Sequence, residues 1–225
     1  MITDIDKCSL CLTCVDNCYA DARVLQGEDY TVDQLMDVLV RDEAYYRNSG
    51  GGITFSGGEP LLHASFIKEC AERIHEKGWT VLIETCGQVP LKNVQEVADD
   101  VDIIYCDFKH PDPGKHKALT GQDNTAIIRN IRWLDENFKG ELSLRYPYIP
   151  TCNDEKEAVE GFLEFASGLK HVPEVVFLPY HRLGLDKYNG LGREYAMGDR
   201  PSLKVKDLDF LKEYEASYPV KIKIQ

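Results

Sequence analysis

The sequence lacks three features that would direct it to a membrane, to secretion or to a nucleic acid. It has no apolar run long enough to span a bilayer, and its first residues, MITDIDKCSL, lack the basic and then apolar pattern of a signal peptide. It also lacks a basic excess: 26 Lys and Arg against 38 Asp and Glu give a net charge of −12. Nucleic-acid binding draws much of its affinity from neutralised phosphates. We therefore expect a cytoplasmic protein with no membrane and no nucleic-acid partner.

Low-complexity sequence is also absent, and the 225 residues, 43% of them hydrophobic, suffice for one sizeable domain with a small appendage. The eight cysteines are unevenly placed. Cys70, Cys86, Cys106 and Cys152 are scattered singly, which is typical of small buried hydrophobic residues. Because nothing points to secretion, a disulfide framework is not expected.

The other four cysteines form one run, Cys8-x2-Cys11-x2-Cys14-x3-Cys18. This is the spacing of bacterial ferredoxins, in which three thiolates meet at one [4Fe–4S] cluster and the fourth can bind a neighbouring cluster. Tyr19 replaces the proline that usually follows. A zinc site is the alternative, although zinc sites usually use two separated cysteine pairs. We expect an iron–sulfur site here, and whether Cys18 shares the cluster of the other three stays open.

Strand and helix patterns alternate from Gly51 onward. Apolar residues at helical spacing, as in 127–138 and 158–169, separate short apolar runs. This alternation predicts parallel strands with right-handed crossovers, covered by helices on one face. The strand candidates are GITFSGGEP, WTVLIETCG, VDIIYCDFKH, ELSLRYPYIP and EVVFLPYHRLG, and the alternating lysines of VKIKIQ indicate a final strand.

Polar side chains follow the apolar part of all five candidates. Taken singly, each has an ordinary explanation, such as a helix cap. Their repetition is harder to dismiss, because the carboxyl ends of parallel strands carry the chemistry in α/β folds. These candidate site residues are Glu59, Glu84, Thr85, Asp107, Lys109, Arg145 and His181.

The segment before Gly51 has a different character. Residues 1–22 are cysteine-rich and loop-like, and Thr31 then begins a predicted helix, TVDQLMDVLVRDEAYY, with a threonine cap and an acidic first turn. We place the boundary near Leu25–Tyr30. The predicted division is a ferredoxin-like [4Fe–4S] segment over 1–28 and an α/β domain over 29–225.

Three longer stretches, SGGGITFSGGEPLLH, DFKHPDPGKHKALTG and LPYHRLGLDKYNGLGREY, together resemble the activating enzymes of glycyl radical enzymes. These are radical S-adenosylmethionine (SAM) proteins. The resemblance covers essentially the whole chain and implies a partial (β/α)6 barrel. It also implies a function for the unusual GGEP strand end: Gly57, Gly58 and Glu59 would hold the amino group of SAM, with the glycines allowing close backbone approach.

The other strand ends acquire roles through the same resemblance. Lys109, in the D-x-K motif, would meet the SAM carboxylate, and His181 would reach the methionine or ribose. Arg145 would lie across the cleft as an anchor. A monovalent cation site would lie near Asp107, Glu84 and Thr85, although the family more often has aspartate where Glu84 stands.

One departure from the family pattern is prominent. Radical SAM chemistry uses a C-x3-C-x2-C motif whose three thiolates leave one iron open to SAM, and this spacing does not occur in the sequence. The resemblance therefore leads us to expect an N-terminally truncated chain whose barrel lacks its first strand. The run from Cys8 to Cys18 would be half of the two-cluster insert found in one branch of the family.

The resemblance implies an enzyme that generates a 5′-deoxyadenosyl radical from SAM and so installs a glycyl radical on a partner enzyme. A flavodoxin- or ferredoxin-type protein would supply the electron. Two alternatives stay open at this point: a non-catalytic iron–sulfur protein that carries electrons, and an inactive fragment.

Overall fold

The computed structural model describes residues 7–25 and 27–225, and their central feature is one parallel β-sheet. Its strands follow one another in chain order, β1-β2-β3-β4-β5-β6, with every neighbouring pair parallel. The strands are β1 (Gly52–Phe55), β2 (Thr80–Thr85), β3 (Ile103–Asp107), β4 (Glu141–Tyr148), β5 (Glu174–Pro179) and β6 (Lys221–Ile224). All five strand candidates and the final lysine-bearing strand are confirmed.

Helices fill the connections between the strands, as the alternating pattern predicts. The α-helices are α1 (Thr13–Asp16), α2 (Val32–Leu39), α3 (Glu43–Ser49), α4 (Ala64–His75), α5 (Leu91–Val97), α6 (Pro113–Thr120), α7 (Thr125–Asn137), α8 (Lys156–Ser167) and α9 (Leu185–Gly190). Turns of 3-10 helix cover Val40–Asp42, Pro60–His63 and Val205–Ala216. No helix in the described ranges is both long enough and apolar enough to cross a membrane.

The predicted helix after Thr31 begins correctly but is interrupted. Thr31 and Gln34 form a capping box: the threonine hydroxyl accepts from the Gln34 amide at 3.2 Å, and the Gln34 side chain accepts from the Thr31 amide at 2.8 Å. The single helix predicted through Tyr46 is wrong, because the 3-10 turn ends at Asp42, which has φ −101° and ψ 10°. The chain therefore forms α2 and α3 as separate helices.

The two faces of the sheet differ in exposure. On β2, Val81 and Ile83 are fully buried, whereas the alternating Leu82 and Glu84 are half-buried. Successive side chains of a strand point to opposite faces, so one face packs against helices and the other stays accessible. β1 and β6 form the two edges and do not pair with each other. The result is an open, partial barrel of the predicted class.

The deepest part of the core lies between the middle strands and α8. Phe162 of α8 contacts the rings of Tyr146, Phe177 and Phe108, with centroid distances of 4.8, 5.6 and 5.5 Å. All four side chains are fully buried. Aromatic side chains bury large areas and gain further stability from tilted or edge contacts, so this cluster fixes the strands from which β3 and β4 extend polar side chains.

Gly52 occupies a position where β1 and β2 approach too closely for any side chain. A Cβ atom there would lie 1.8 Å from the Thr80 carbonyl oxygen. We expect Gly52→Ala to lower the free energy of unfolding by about 2 kcal/mol or more, because a backbone must shift. Urea unfolding measures this loss. Gly190→Ala is the matched control, since a Cβ there meets nothing within 4 Å; equal stability of the two variants would contradict the steric account.

Candidate functional site at the carboxyl ends of the strands

The turn after β1 is built from glycine and ends in a capping carboxylate. Gly57 has φ +114°, a conformation that other residues rarely adopt, and a Cβ at Gly57 or Gly58 would meet nothing within 4 Å. Glu59 then caps the 3-10 turn Pro60–His63, because its Oε1 accepts from the Leu61 amide at 3.1 Å. The backbone of both glycines therefore borders open space.

Glu59 joins the end of β1 to the end of β2. Its Oε1 also accepts from the hydroxyl of Thr85 at 2.7 Å, and its Oε2 accepts from the amide and the thiol of Cys86 at 2.9 and 3.0 Å. Burial, and then the hydrogen bond to Glu59, raise the pKa of Cys86, which keeps the thiol protonated and able to donate. With the Leu61 contact, all of the roughly four acceptor positions of this carboxylate are used.

Cys86 shows where reasoning from single cysteines failed. Cys70 and Cys106 are buried as predicted, but Cys86 and Cys152 are only partly buried, so the prediction is wrong for those two. For Cys86 the reason is its position directly after the polar end of β2, where it bonds Glu59. That position was the available signal, and it was overlooked.

Arg145 is the centre of a second cluster on the accessible face of the sheet. The register pairs it with Asp107, and its guanidinium contacts Asp107 Oδ1 at 3.0 Å and Glu84 Oε1 at 2.6 Å. It also lies 5.1 Å from the ring centroid of Tyr105. Burial acts to lower the pKa of Arg145, but Asp107 and Glu84 outweigh it and raise the pKa. Lys109 Nζ completes the cluster, 3.4 Å from Asp107 Oδ2.

The predicted site residues thus fall into two connected groups and one separate residue. Glu59 and Thr85 form the first group, and Glu84, Asp107, Lys109 and Arg145 form the second. Thr85 and Glu84 are consecutive on β2, which places the two groups side by side. His181 is exposed in the turn after β5, where its Nδ1 accepts from the Leu183 amide at 3.3 Å.

The cysteine run lies in loops around the short helix α1. Cys8, Cys11 and Cys14 are exposed and line one cavity of about 540 Å³, and Cys18 is half-buried. Hydrogen bonds from the Thr13 side chain, and then from its backbone, lower the pKa of Cys11 to about 7. In the described part of the chain, no three His, Cys, Asp or Glu side chains are arranged to hold a single metal ion. The thiols instead surround an open space, which suits the bulk of an iron–sulfur cluster.

The loop that carries Lys109 is reinforced by an ion-paired histidine. His110 Nδ1 accepts from the Asp112 amide at 3.0 Å, so Nε2 bears the proton and donates to Glu155 Oε1 at 3.1 Å. Lys115 Nζ donates to the same oxygen at 2.6 Å. Burial works to raise the pKa of Glu155, but these two hydrogen bonds outweigh it and lower the pKa from 4.5 to about 2.

A lowered pKa in the folded state makes this contact pH-dependent. The stabilisation is complete above the unfolded pKa of 4.5 and is lost as the pH falls toward the folded value of about 2. We expect Glu155→Gln to lower the free energy of unfolding by about 1–2 kcal/mol near neutral pH, allowing for solvent screening. The difference from the unsubstituted chain should vanish near the folded pKa. Urea titrations across this pH range test it, and a difference that grows in acid would contradict the assignment.

Comparison with known proteins places this fold and site in a family. The family model of the radical SAM superfamily matches residues 16–164, well over half of the chain. The chain belongs to the radical SAM superfamily. The cofactors of this superfamily are a [4Fe–4S] cluster and SAM.

Curated relatives of this radical SAM protein are similar along most of its length. It is 40% identical over 196 residues to the indoleacetate decarboxylase activating enzyme of Tractidigestivibacter scatoligenes, covering 86% of this chain and 62% of that relative. It is 37% identical over 215 residues to the 4-hydroxyphenylacetate decarboxylase activating enzyme of Clostridioides difficile (strain 630), covering 94% and 67%. The chain therefore spans about two thirds of the length of these relatives.

A solved structure supports the fold independently. A domain of pyruvate-formate lyase-activating enzyme from Bacteroides vulgatus ATCC 8482 superposes with a TM-score of 0.63 at 24% identity, covering 78% of this chain and 99% of that one. At this identity the likeness establishes the shared sheet architecture. The expected partial barrel of radical SAM type is confirmed.

Proposed function

We propose that this protein acts in the activation of a glycyl radical enzyme, as a radical SAM oxidoreductase. The observation that carries the proposal is the 37–40% identity to relatives named as activating enzymes of two different decarboxylases. The strand-end clusters agree with it, because they gather polar groups of both charges where a zwitterionic ligand needs them. A non-catalytic electron carrier is less well supported, since the identity extends far beyond the cysteine run.

The SAM site would be formed by the two connected groups. When bound and reduced, SAM supplies a 5′-deoxyadenosyl radical able to take a hydrogen atom from a glycine of the partner. Lys109 presents an ammonium for the SAM carboxylate. Gly57 and Gly58 offer open backbone for the amino group. His181, farther along the rim, would reach the ribose or methionine.

Glu59 contributes to this site in a different way from the one that the resemblance implies. All its acceptor positions are used by Leu61, Thr85 and Cys86. We infer that it orders the glycine turn and that the glycine carbonyls contact the SAM amino group directly.

The monovalent cation is the least supported part of the expected cofactor set. Glu84 and Asp107, two of its suggested ligands, are bridged by the Arg145 guanidinium at 2.6 and 3.0 Å. A positive group thus already lies between these carboxylates. A cation at this place would share them with Arg145, with Thr85 as the neighbouring hydroxyl.

The cysteine run would form the iron–sulfur segment, residues 1–28, beside the α/β domain of residues 29–225. Cys8, Cys11 and Cys14 would supply three thiolates to one [4Fe–4S] cluster, with Cys18 as the fourth ligand or as a ligand of a neighbouring cluster. A flavodoxin- or ferredoxin-type protein would deliver electrons, and the site of action would be the cytoplasm.

Equilibrium dialysis with labelled SAM tests the binding site. We expect saturable binding that Lys109→Gln weakens by about 10-fold or more, because a charge-assisted hydrogen bond to a carboxylate is lost. Lys139→Gln is the matched control: Lys139 is 86% exposed and its ion pair with Asp99 is at the surface. Absence of saturable binding, or equal effects of the two substitutions, would contradict the proposed SAM site.

A further inference from the structure

Two buried asparagines hold the backbone immediately after β3. Asn153 Nδ2 donates to the carbonyl of Lys109 at 2.8 Å, and Asn124 Nδ2 donates to the carbonyls of His110 and Pro111 at 2.9 and 2.8 Å. Both asparagines are 2% exposed. Three consecutive carbonyls of the loop that carries Lys109 are therefore bound by side-chain amides from elsewhere in the chain.

Asn153 uses its whole hydrogen-bonding capacity in this arrangement. Besides Lys109, its Nδ2 donates to the Pro147 carbonyl at 2.7 Å, and its Oδ1 accepts from the Ile149 amide at 2.7 Å. Its own carbonyl accepts from the hydroxyl of the fully buried Tyr146 at 2.7 Å. Because buried amides without partners are destabilising, a fully bonded asparagine here is a rigid connection between the ends of β3 and β4.

This connection begins where the sheet itself stops. The Phe108 amide donates to the Arg145 carbonyl at 2.7 Å, one residue beyond the end of β3. The next residue, Lys109, has its carbonyl bound by Asn153 instead of by a neighbouring strand. The asparagine thus extends the connection between β3 and β4 to the residue whose ammonium lies 3.4 Å from Asp107.

We propose that Asn153, assisted by Asn124, is a positioning residue that fixes the Lys109 ammonium for the carboxylate of SAM. The inference rests on the proposed function and deepens it, because it names the residue through which the β4 turn acts on the ligand. Neither asparagine touches the ligand in this assignment. Each acts by restricting the backbone from which the lysine side chain extends.

Asn153→Asp is the sharpest substitution. It keeps the size of the side chain and the acceptor for the Ile149 amide, but it replaces the donor facing the Lys109 and Pro147 carbonyls with an acceptor. We expect the SAM dissociation constant to rise about 10-fold or more, since small displacements of a positioned group have large effects.

A double-substitution cycle separates positioning from a general loss of stability. In a Lys109→Gln background, Asn153→Asp should leave the SAM dissociation constant unchanged, because the group that it positions is already absent. Asp135→Asn is the stability control: Asp135 is 6% exposed and accepts from the amides of Lys170 and His171 at the opposite edge of the sheet. It should lower the melting temperature without changing affinity. If Asn153→Asp does not fold, Asn124→Ser releases the His110 and Pro111 carbonyls and takes its place.

The outcomes distinguish this inference from the function beneath it. Unchanged affinity in Asn153→Asp, or an equal loss in the Lys109→Gln background, overturns the positioning role while the SAM site stands. Absence of saturable binding by the unsubstituted chain overturns the SAM site, and the positioning role with it. Faster hydrogen exchange at the His110 and Asp112 amides of Asn153→Asp, together with the non-additive affinity loss, supports the inference.

Discussion

The reconstituted and reduced chain is expected to yield no 5′-deoxyadenosine from SAM above the level of a cluster-free control. Members of the family cleave SAM at a cluster held by the three thiolates of C-x3-C-x2-C, and this spacing does not occur among the eight cysteines. The ferredoxin-type run has four thiolates available and so leaves no iron site reserved for SAM. Dithionite reduction after anaerobic reconstitution, followed by chromatographic assay of 5′-deoxyadenosine, measures the result.

Iron and sulfide analysis of the same preparation serves as the internal check. One cluster at most is expected per chain, because Cys8, Cys11, Cys14 and Cys18 are the only closely spaced cysteines in the sequence. One of the full-length relatives named above provides the positive control for cleavage. Turnover by this chain alone, or two full clusters per chain, would show that the function of the cysteines has been misassigned.

Arg145→Met should produce the largest loss of stability among substitutions at the strand ends. The Arg145 side chain is 14% exposed and neutralises Asp107 and Glu84, which are 22% and 35% exposed. Removing one partner of a largely buried ion pair leaves the others uncompensated, so we expect the free energy of unfolding to fall by about 2–4 kcal/mol. Urea unfolding at neutral pH measures this change.

A second substitution tests the electrostatic cause. Glu84→Gln in the Arg145→Met background should restore part of the lost stability, because one of the two unpaired carboxylates is removed. Lys139→Gln, which breaks only a surface ion pair with Asp99, should change the free energy of unfolding by less than about 0.5 kcal/mol. If the double variant is no more stable than Arg145→Met, the loss comes from packing against Tyr105 and not from charge.

Much of the architecture was predictable because it follows from short-range patterns. Alternating apolar runs and helical periods located every strand, and the Thr31 capping box located the start of α2. The interruption at Asp42 was not predictable, since the periodicity continues through it and only the backbone angles depart. Polar residues after strands indicated the functional edge, because parallel strands end on the same side of a sheet.

The partners within the site were beyond the reach of the sequence. Arg145 and Glu84 are separated by 61 residues, and their contact depends on the register of three strands. Asn153 looked like an ordinary turn residue after a proline, although its amide reaches Lys109 across 44 positions. Such long-range hydrogen bonds leave no periodic signal, whereas strand and helix patterns are repeated along the chain.

The order of the strands has a consequence for how the protein forms during synthesis. Each strand pairs only with the strands that precede and follow it in the chain, and β1 and β6 never meet. A strand therefore finds its partner as soon as the next strand and the intervening helix have left the ribosome. The sheet can grow in the direction of translation, with no early strand held unpaired until the last one arrives.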